Sequence, residues 1–299
     1  MSHILISGLV NTETTCRVRE FPIPYYPIDY PFFGIGTAVS GVAYNLAKAL
    51  RILGQQVTLC SMTGPDLPGE TIRRELEALG VSTANIKTCL QETPGSVVLY
   101  DPEGKRQIYC DLKDIQETDY GFSPEICRDV DLVAACNINF NRPLLRAAKE
   151  AGKIIATDVH VLRDLYDDYN REFMEAADIL FLSDEGIGDD YRGFLGELGR
   201  IYHNQIIVLG RGGKGAALYL PTEGQFHELP AVQVGSVVNT VGAGDALFSG
   251  FLQGYVKGLS PLEALQRAQI FAAAKIRTSG ASQGFITEEE LESLFLKKN

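Results

Sequence analysis

The sequence predicts an α/β fold, with a central, mostly parallel sheet flanked by helices on both faces and a small β-sheet lid. Three observations predict it. Helical and extended segments alternate along most of the 299 residues. The extended runs are nearly all apolar, as strands buried on both faces must be. Two stretches, 12–37 and 93–112, break the alternation and read as β structure of their own.

Ile4 to Val10 is an apolar run that reads as a buried first strand. It has no basic flank and no small-residue cleavage site, and it is too short for a signal peptide or a membrane span. Residues 12–37 interleave Pro22, Pro24, Pro27 and Pro31 with six aromatic residues. That proline density forbids a helix and favours extended, edge-like backbone. From Ser40 to Leu53, apolar residues at Val42, Leu46, Ala49, Leu50 and Leu53 form a helical stripe closed by Gly54. The strand Val57–Ser61 follows, then a second helix marked by Ile72, Leu76 and Leu79 and closed by Gly80.

Residues 93–112 read as a hairpin, Ser96–Tyr100 and Arg106–Cys110 around Asp101-Pro102-Glu103-Gly104. Proline at the second and glycine at the fourth turn position fit a type I turn. Three further helix–strand pairs follow: 143–151 with Ile154–Thr157, about 171–177 with Ile179–Leu182, and about 190–202 with Ile206–Leu209. Ser260-Pro261-Leu262-Glu263 and Thr287-Glu288-Glu289-Glu290 are capping boxes that open the last two helices. The expected organisation is one large α/β domain (1–11, 38–92 and 113–299) with a discontinuous lid (12–37 and 93–112). The plain alternative for the two insertions is a surface excursion, but long aromatic-rich insertions in α/β folds tend to be functional.

A composition of 45% hydrophobic and 22% charged residues is that of a globular chain and argues against disorder. The net charge of −11, without a cluster of Lys or Arg, argues against a nucleic-acid or anionic-membrane partner. Six scattered cysteines and four scattered histidines offer no zinc spacing. Reduced thiols in a cytoplasmic protein are the expectation.

Three stretches carry candidate chemistry. Asn239-Thr240-Val241-Gly242-Ala243-Gly244-Asp245 leads into an apolar helical run. Three small residues at a helix start let backbone amides converge where the helix dipole favours an anion, such as a phosphoryl group in transfer. Asp245 is placed to accept a hydroxyl proton beside it. The same residues also fit a glycine-rich turn with a capping aspartate. The second stretch, Gly210-Arg211-Gly212-Gly213-Lys214-Gly215, contains GxGxxG but runs into a strand, Ala216–Leu220, where a dinucleotide fingerprint requires a helix. It is not a Walker A loop, because Gly215 follows Lys214. It reads as a tight turn, either a plain hairpin or one bordering a nucleotide. The third is Ser40-Gly41-Val42-Ala43-Tyr44-Asn45, where Asn45 lies one turn past the glycine and faces either solvent or a polar ligand.

Taken together, these residues resemble the ribokinase-like, or PfkB-type, carbohydrate kinase family. Asn239 to Asp245 match its Asp-Thr-x-Gly-Ala-Gly-Asp signature at every fixed position but the first. Gly41 and Asn45 match its N-terminal signature, with Ser40 in place of a first glycine. Gly8 to Glu13 resemble its Gly-x-x-Asn-x-Asp, with Glu13 for Asp. The resemblance implies transfer of the ATP γ-phosphate to a primary alcohol of a sugar or nucleoside. It implies Asp245 as general base, Gly242, Ala243 and Gly244 as anion hole, and Asn11, Glu13, Gly41 and Asn45 as the holders of substrate hydroxyls. Gly210, Gly215 and Ser183 would border ATP, with Mg²⁺ bridging its phosphates and the lid closing over the sugar.

Two departures accompany the match. The family's Asn-x-x-Glu element, which helps organise Mg²⁺, falls at Ser183-Asp184-Glu185-Gly186, leaving Asp184 or Glu185 to substitute. Asn239 replaces an Asp that in some members helps bind a monovalent cation near the anion hole, so potassium activation is not implied. The expected acceptor is an unphosphorylated sugar, with a nucleoside as runner-up. Arg17, Arg19, Lys105 and Arg106 in the lid leave a sugar phosphate open. A catalytically silent sugar or nucleoside sensor is the alternative from another class. A homodimer joined through exposed lid edges is the expected assembly.

Overall fold

The computed structural model describes residues 1–298, with side chains to residue 297. The chain opens with β1 (His3–Ser7), followed by β2 (Asn11–Arg17) and, after the proline-rich excursion, β3 (Ile35–Ser40). Helix α1 (Val42–Ile52) begins two residues later than the sequence suggests, because Ser40 belongs to β3. Then come β4 (Gln56–Thr63), α2 (Leu67–Ala78), β5 (Ile86–Thr88) and the hairpin β6 (Gly95–Tyr100) with β7 (Arg106–Asp111). The alternating section comprises β8 (Leu132–Ala135), α3 (Arg142–Glu150), β9 (Ile154–Val161), α4 (Arg171–Ala176), β10 (Ile179–Ser183) and α5 (Tyr191–Tyr202). It ends in β11 (Ile206–Gly210), β12 (Ala216–Leu220) and β13 (Gln225–Leu229). Three helices close the chain: α6 (Ala243–Val256), α7 (Pro261–Lys275) and α8 (Glu288–Lys298).

Nine strands form one sheet in the order β13-β12-β11-β10-β9-β8-β1-β4-β5. Every pairing from β5 to β11 is parallel, and only the pairings β11–β12 and β12–β13 at one end of the sheet are antiparallel. Side chains alternate across the sheet with period two, so β1 feeds both cores. Ile4 and Ile6 pack with Leu46, Leu50, Phe248 and Phe251 of α1 and α6, while Leu5 packs with Leu144, Leu145, Leu195 and Leu198 of α3 and α5. Truncating either isoleucine to alanine removes fully buried methylenes and should cost about 2–5 kcal/mol.

The interrupting segments assemble a separate four-stranded sheet, β3-β2-β6-β7, in which β2 and β6 pair in parallel. Asn11 and residues 38–40 join it, so the small sheet reaches slightly beyond 12–37. The hairpin turn forms as its residues suggest: Asp101 Oδ1 accepts from the N–H groups of Glu103 at 3.1 Å and Lys105 at 2.8 Å. Both capping boxes are present, Ser260 with Glu263 and Thr287 with Glu290. No helix among the described residues is long and apolar enough to cross a membrane.

Parallel strands bring their C-terminal ends to one edge, which is where open α/β sheets bind ligands. The ends of β9, β10 and β11 therefore place His160, Ser183 and Gly210 along that edge, and Asn11 follows β1 at the start of β2.

Candidate active site

Asp245 lies in the first turn of α6, whose geometry follows from Gly242. That residue caps the helix at φ 77°, and a Cβ there would stand 2.4 Å from the carbonyl oxygen of Ala281. Only glycine fits both demands. Gly244 differs, because nothing in the protein lies within 4 Å of a Cβ built on it. The first helical N–H to find its acceptor is that of Ala246, on Gly242 O at 3.0 Å, while the N–H of Ala243 turns back to Thr240 O at 3.2 Å. The amides of Gly244 and Asp245 thus sit at an open helix start, where the orphan donors and the dipole attract an anion.

Asn45 reaches this point from α1. It is 2% exposed, and its Nδ2 donates to Asp245 Oδ2 at 2.6 Å. The mid-helix asparagine is therefore buried rather than solvated. Its Oδ1 is buried without a partner, and so is Oδ1 of Asn11, whose Nδ2 donates to Ser96 Oγ at 3.1 Å. Burying an unpaired acceptor is costly, so two such oxygens suit a ligand carrying hydroxyl donors. Glu13 is also buried and accepts from Ser40 Oγ at 3.3 Å and from the N–H of Ala281. Gly41, at φ 98°, joins β3 to α1, and a Cβ built there would stand 2.5 Å from Leu9 O, so only glycine fits.

Electrostatics single out the same group. Burial raises the pKa of Asp245 above the ordinary carboxylate value, against the lowering effects of the Asn45 hydrogen bond and the charges of His160 and Lys275. Burial likewise raises Glu13. Lys275, at the end of α7, is 0% exposed, and its Nζ donates to Val241 O and, at 2.8 Å, to Gly280 O. Burial pushes its pKa down to about 8, although Asp245 and Glu13 pull it up. At the end of β9, His160 adopts φ 59° and its Nδ1 lies 3.5 Å from Asp158 Oδ2. Burial alone would lower His160, but the Asp158 carboxylate, with Asp245 behind it, outweighs burial and raises it to about 9.

The residues expected to border ATP are less gathered. Ser183 pairs in register with Gly210, and the N–H of Asp184 donates to Gly210 O at 3.0 Å. Gly215 carries φ 99°, and a Cβ would fall 2.0 Å from Leu229 O, so packing against β13 alone accounts for this glycine. Glu185 is exposed, and no cluster of three metal-ligating side chains occurs among the described residues. Of the basic lid residues, Arg19 pairs with Asp29 at 2.6 Å, whereas Arg106 Nη1 donates to Thr240 Oγ1 at 3.0 Å beside the helix start.

Sequence reasoning missed Lys275, the Asp158–His160 pair and the turn around Ala281. A lysine at a helix C-terminus is ordinary, because it favours the dipole, so nothing in the local sequence marks Lys275. His160 carries no spacing signal either.

The chain resembles known proteins over its whole length. An ATP-dependent ribose-1-phosphate kinase of Halopiger xanaduensis is 27% identical over 293 residues, covering 94% of each chain. A nucleoside kinase of Methanocaldococcus jannaschii is 25% identical over 86% of this chain and 85% of its own. A solved microbiome-derived acarbose kinase superimposes with a TM-score of 0.88 over 99% of both chains at 24% identity, which shows the shared fold. The family model described as pfkB family carbohydrate kinase matches residues 1–288. The small sheet beside a large parallel one, the glycine-built helix start and this match agree: the chain belongs to the pfkB family of carbohydrate kinases.

Proposed function

We propose that the protein transfers the γ-phosphate of ATP to a primary hydroxyl of a sugar by in-line displacement, with Asp245 as general base. The observation that carries this reading is the Asn45–Asp245 bond at 2.6 Å beside a helix start with open amides. One carboxylate oxygen is held by Asn45, which leaves the other to take the proton of an incoming hydroxyl. A pKa raised by burial makes Asp245 a stronger base than an ordinary carboxylate. The amides at Gly244 and Asp245 meet the negative charge of the phosphoryl group in transfer. Arg106, bonded to Thr240, brings a cation from the small sheet to the same place. Asn11, Glu13 and the free oxygen of Asn45 hold substrate hydroxyls.

Magnesium fits here as an ion that arrives on the nucleotide, since it keeps several waters and needs only one or two protein carboxylates. Asp184 or Glu185 would supply that carboxylate, and the ion would neutralise phosphate charge. The small sheet acts as a lid that excludes water when substrate binds. Its outer face exposes Val97 and Tyr109, which pair across β6 and β7, an apolar surface suited to pairing two copies of the protein. Reduced thiols suit a cytoplasmic setting.

A nucleoside acceptor is the second reading. Nucleoside kinases stand among the relatives, and Tyr25, Tyr30 and Phe32 lie exposed on the 18–34 excursion, where rings could stack on a base. A silent sensor is favoured by Ser183, Gly186 and Asn239, which stand where the family has Asn, Glu and Asp. Screening ATP consumption against sugars, sugar phosphates and nucleosides separates the three. Turnover with a free sugar supports the main reading, turnover with nucleosides alone supports the second, and ATP binding without turnover on any acceptor leaves the sensor.

A further inference from the structure

Lys275 is the one fully buried lysine side chain among the described residues, and its surroundings explain where its charge goes. Its ammonium joins two loops. One is the strand-like approach to the helix start, through Val241 O, and the other is the turn that follows α7, through Gly280 O. The loops touch at Gly242 and Ala281, and Val98 of the small sheet packs on Val241 and Ala281. The cation thus holds the residue that precedes the helix cap Gly242, with the carboxylates of Asp245 and Glu13 as its charged neighbours and Arg106 as the opposing one.

A monovalent cation near the anion hole, implied by the resemblance for some family members, can be tested against these residues. Such an ion is held by carbonyl oxygens and carboxylates. Here two carbonyls already accept from Lys275. Asn239 brings no negative charge, its Oδ1 is occupied by the N–H of Val241 at 2.8 Å, and its remaining Nδ2 is a buried donor without a partner. A donor repels a cation. The group does not fit.

We infer that the ammonium of Lys275 takes the place of the monovalent cation, as a cation tethered to the chain that makes phosphate binding at the α6 start independent of potassium. The inference rests on the reading of residues 242–244 as a phosphate cradle. A fixed lysine holds the same two loops together as an ion would, and it adds positive charge to the helix start without a binding equilibrium. Depression of its pKa to about 8 is consistent with a cation kept in place by function rather than by preference for burial.

The test compares the full-length protein in potassium chloride and in tetramethylammonium chloride at equal ionic strength. ATP affinity is read by calorimetry and thermal stability by melting. The expected result is the same dissociation constant and the same Tm in both salts. A saturable, potassium-specific gain in either overturns the inference. Lys275→Ala vacates the ammonium position, and ATP affinity should fall about tenfold or more, as expected when a charged hydrogen-bonding group is removed. Potassium or ammonium ions should restore part of it. A folded Lys275→Ala protein that binds ATP as well as the wild type in tetramethylammonium also overturns the inference. Should that variant not fold, the two-salt comparison on the wild type still decides. Failure of the wild type to bind ATP in any salt refutes the kinase reading instead, and the melting comparison then tests the cation site alone.

Discussion

Asn45 and Asp245 stand 200 residues apart in the chain and meet at 2.6 Å, the asparagine amide donating to the carboxylate. The first and sixth helices, packed face to face over the sheet, fix the contact from both sides. On the proposed reading Asp245 is a base aimed before substrate arrives, and the contact also tunes it, because a donor favours the ionised form.

Asn45→Ala should therefore do two things. Loss of a hydrogen bond to a charged group should lower kcat by roughly 10- to 100-fold. The acid limb of the pH–rate profile should move to higher pH, since the donor that holds the Asp245 pKa down is gone. An acid limb that stays in place would separate Asn45 from the base.

Two neighbouring glycines should respond in opposite ways. Gly242→Ala forces a Cβ against Ala281 O at a backbone angle that suits glycine, and should destabilise the fold by about 1–3 kcal/mol. Gly244→Ala meets no protein atom, so its Tm should hold or rise, while ATP affinity and turnover fall because the added methyl fills space meant for phosphate. Melting curves and calorimetry on the pair check both.

Lys275 sets an opposed pair of pH effects. Its ammonium loses its proton as pH rises through about 8, so ATP affinity should decline above that point. Stability should move the other way. Between about 8 and the ordinary lysine value the folded protein binds fewer protons than the unfolded chain, so this group's contribution to stability grows with pH. The stability difference between wild type and Lys275→Met, measured by denaturant unfolding, should widen in favour of the wild type over that window.

His160 should titrate at about 9, visible as its imidazole resonance in NMR, and Asp158→Asn should bring it down because burial then acts with less opposition. A folded-state pKa above the unfolded value contributes stability that is complete at low pH and lost as pH rises through about 9. An unshifted histidine resonance in the wild type would show that Asp158 does not hold the charge.

Much of the fold was legible because it is written in local periodicity. The apolar runs at Ile179–Leu182 and Ile206–Leu209 and the stop at Gly54 all mark elements within a residue or two of where they form. The apolar stripe alone starts the first helix at Ser40, whereas pairing with Asn11 across the small sheet makes Ser40 the last residue of β3. At the site, the small residues 242–244 marked a close backbone approach, while spacing alone left an anion cradle and a plain capped turn both open. Lys275, His160 and Ala281 were not legible. Each acts through neighbours brought in by tertiary packing, and none carries a local pattern that differs from an ordinary helix end, strand end or turn.

The central claim is that Asp245 takes the proton of the acceptor hydroxyl. Its most direct test is Asp245→Asn, nearly isosteric and still able to contact Asn45, assayed for kcat with the best acceptor and for ATP affinity by calorimetry. The predicted result is a fall in kcat of roughly 10²- to 10⁴-fold, as general-base loss gives, with ATP binding retained. Turnover close to that of the wild type would contradict it.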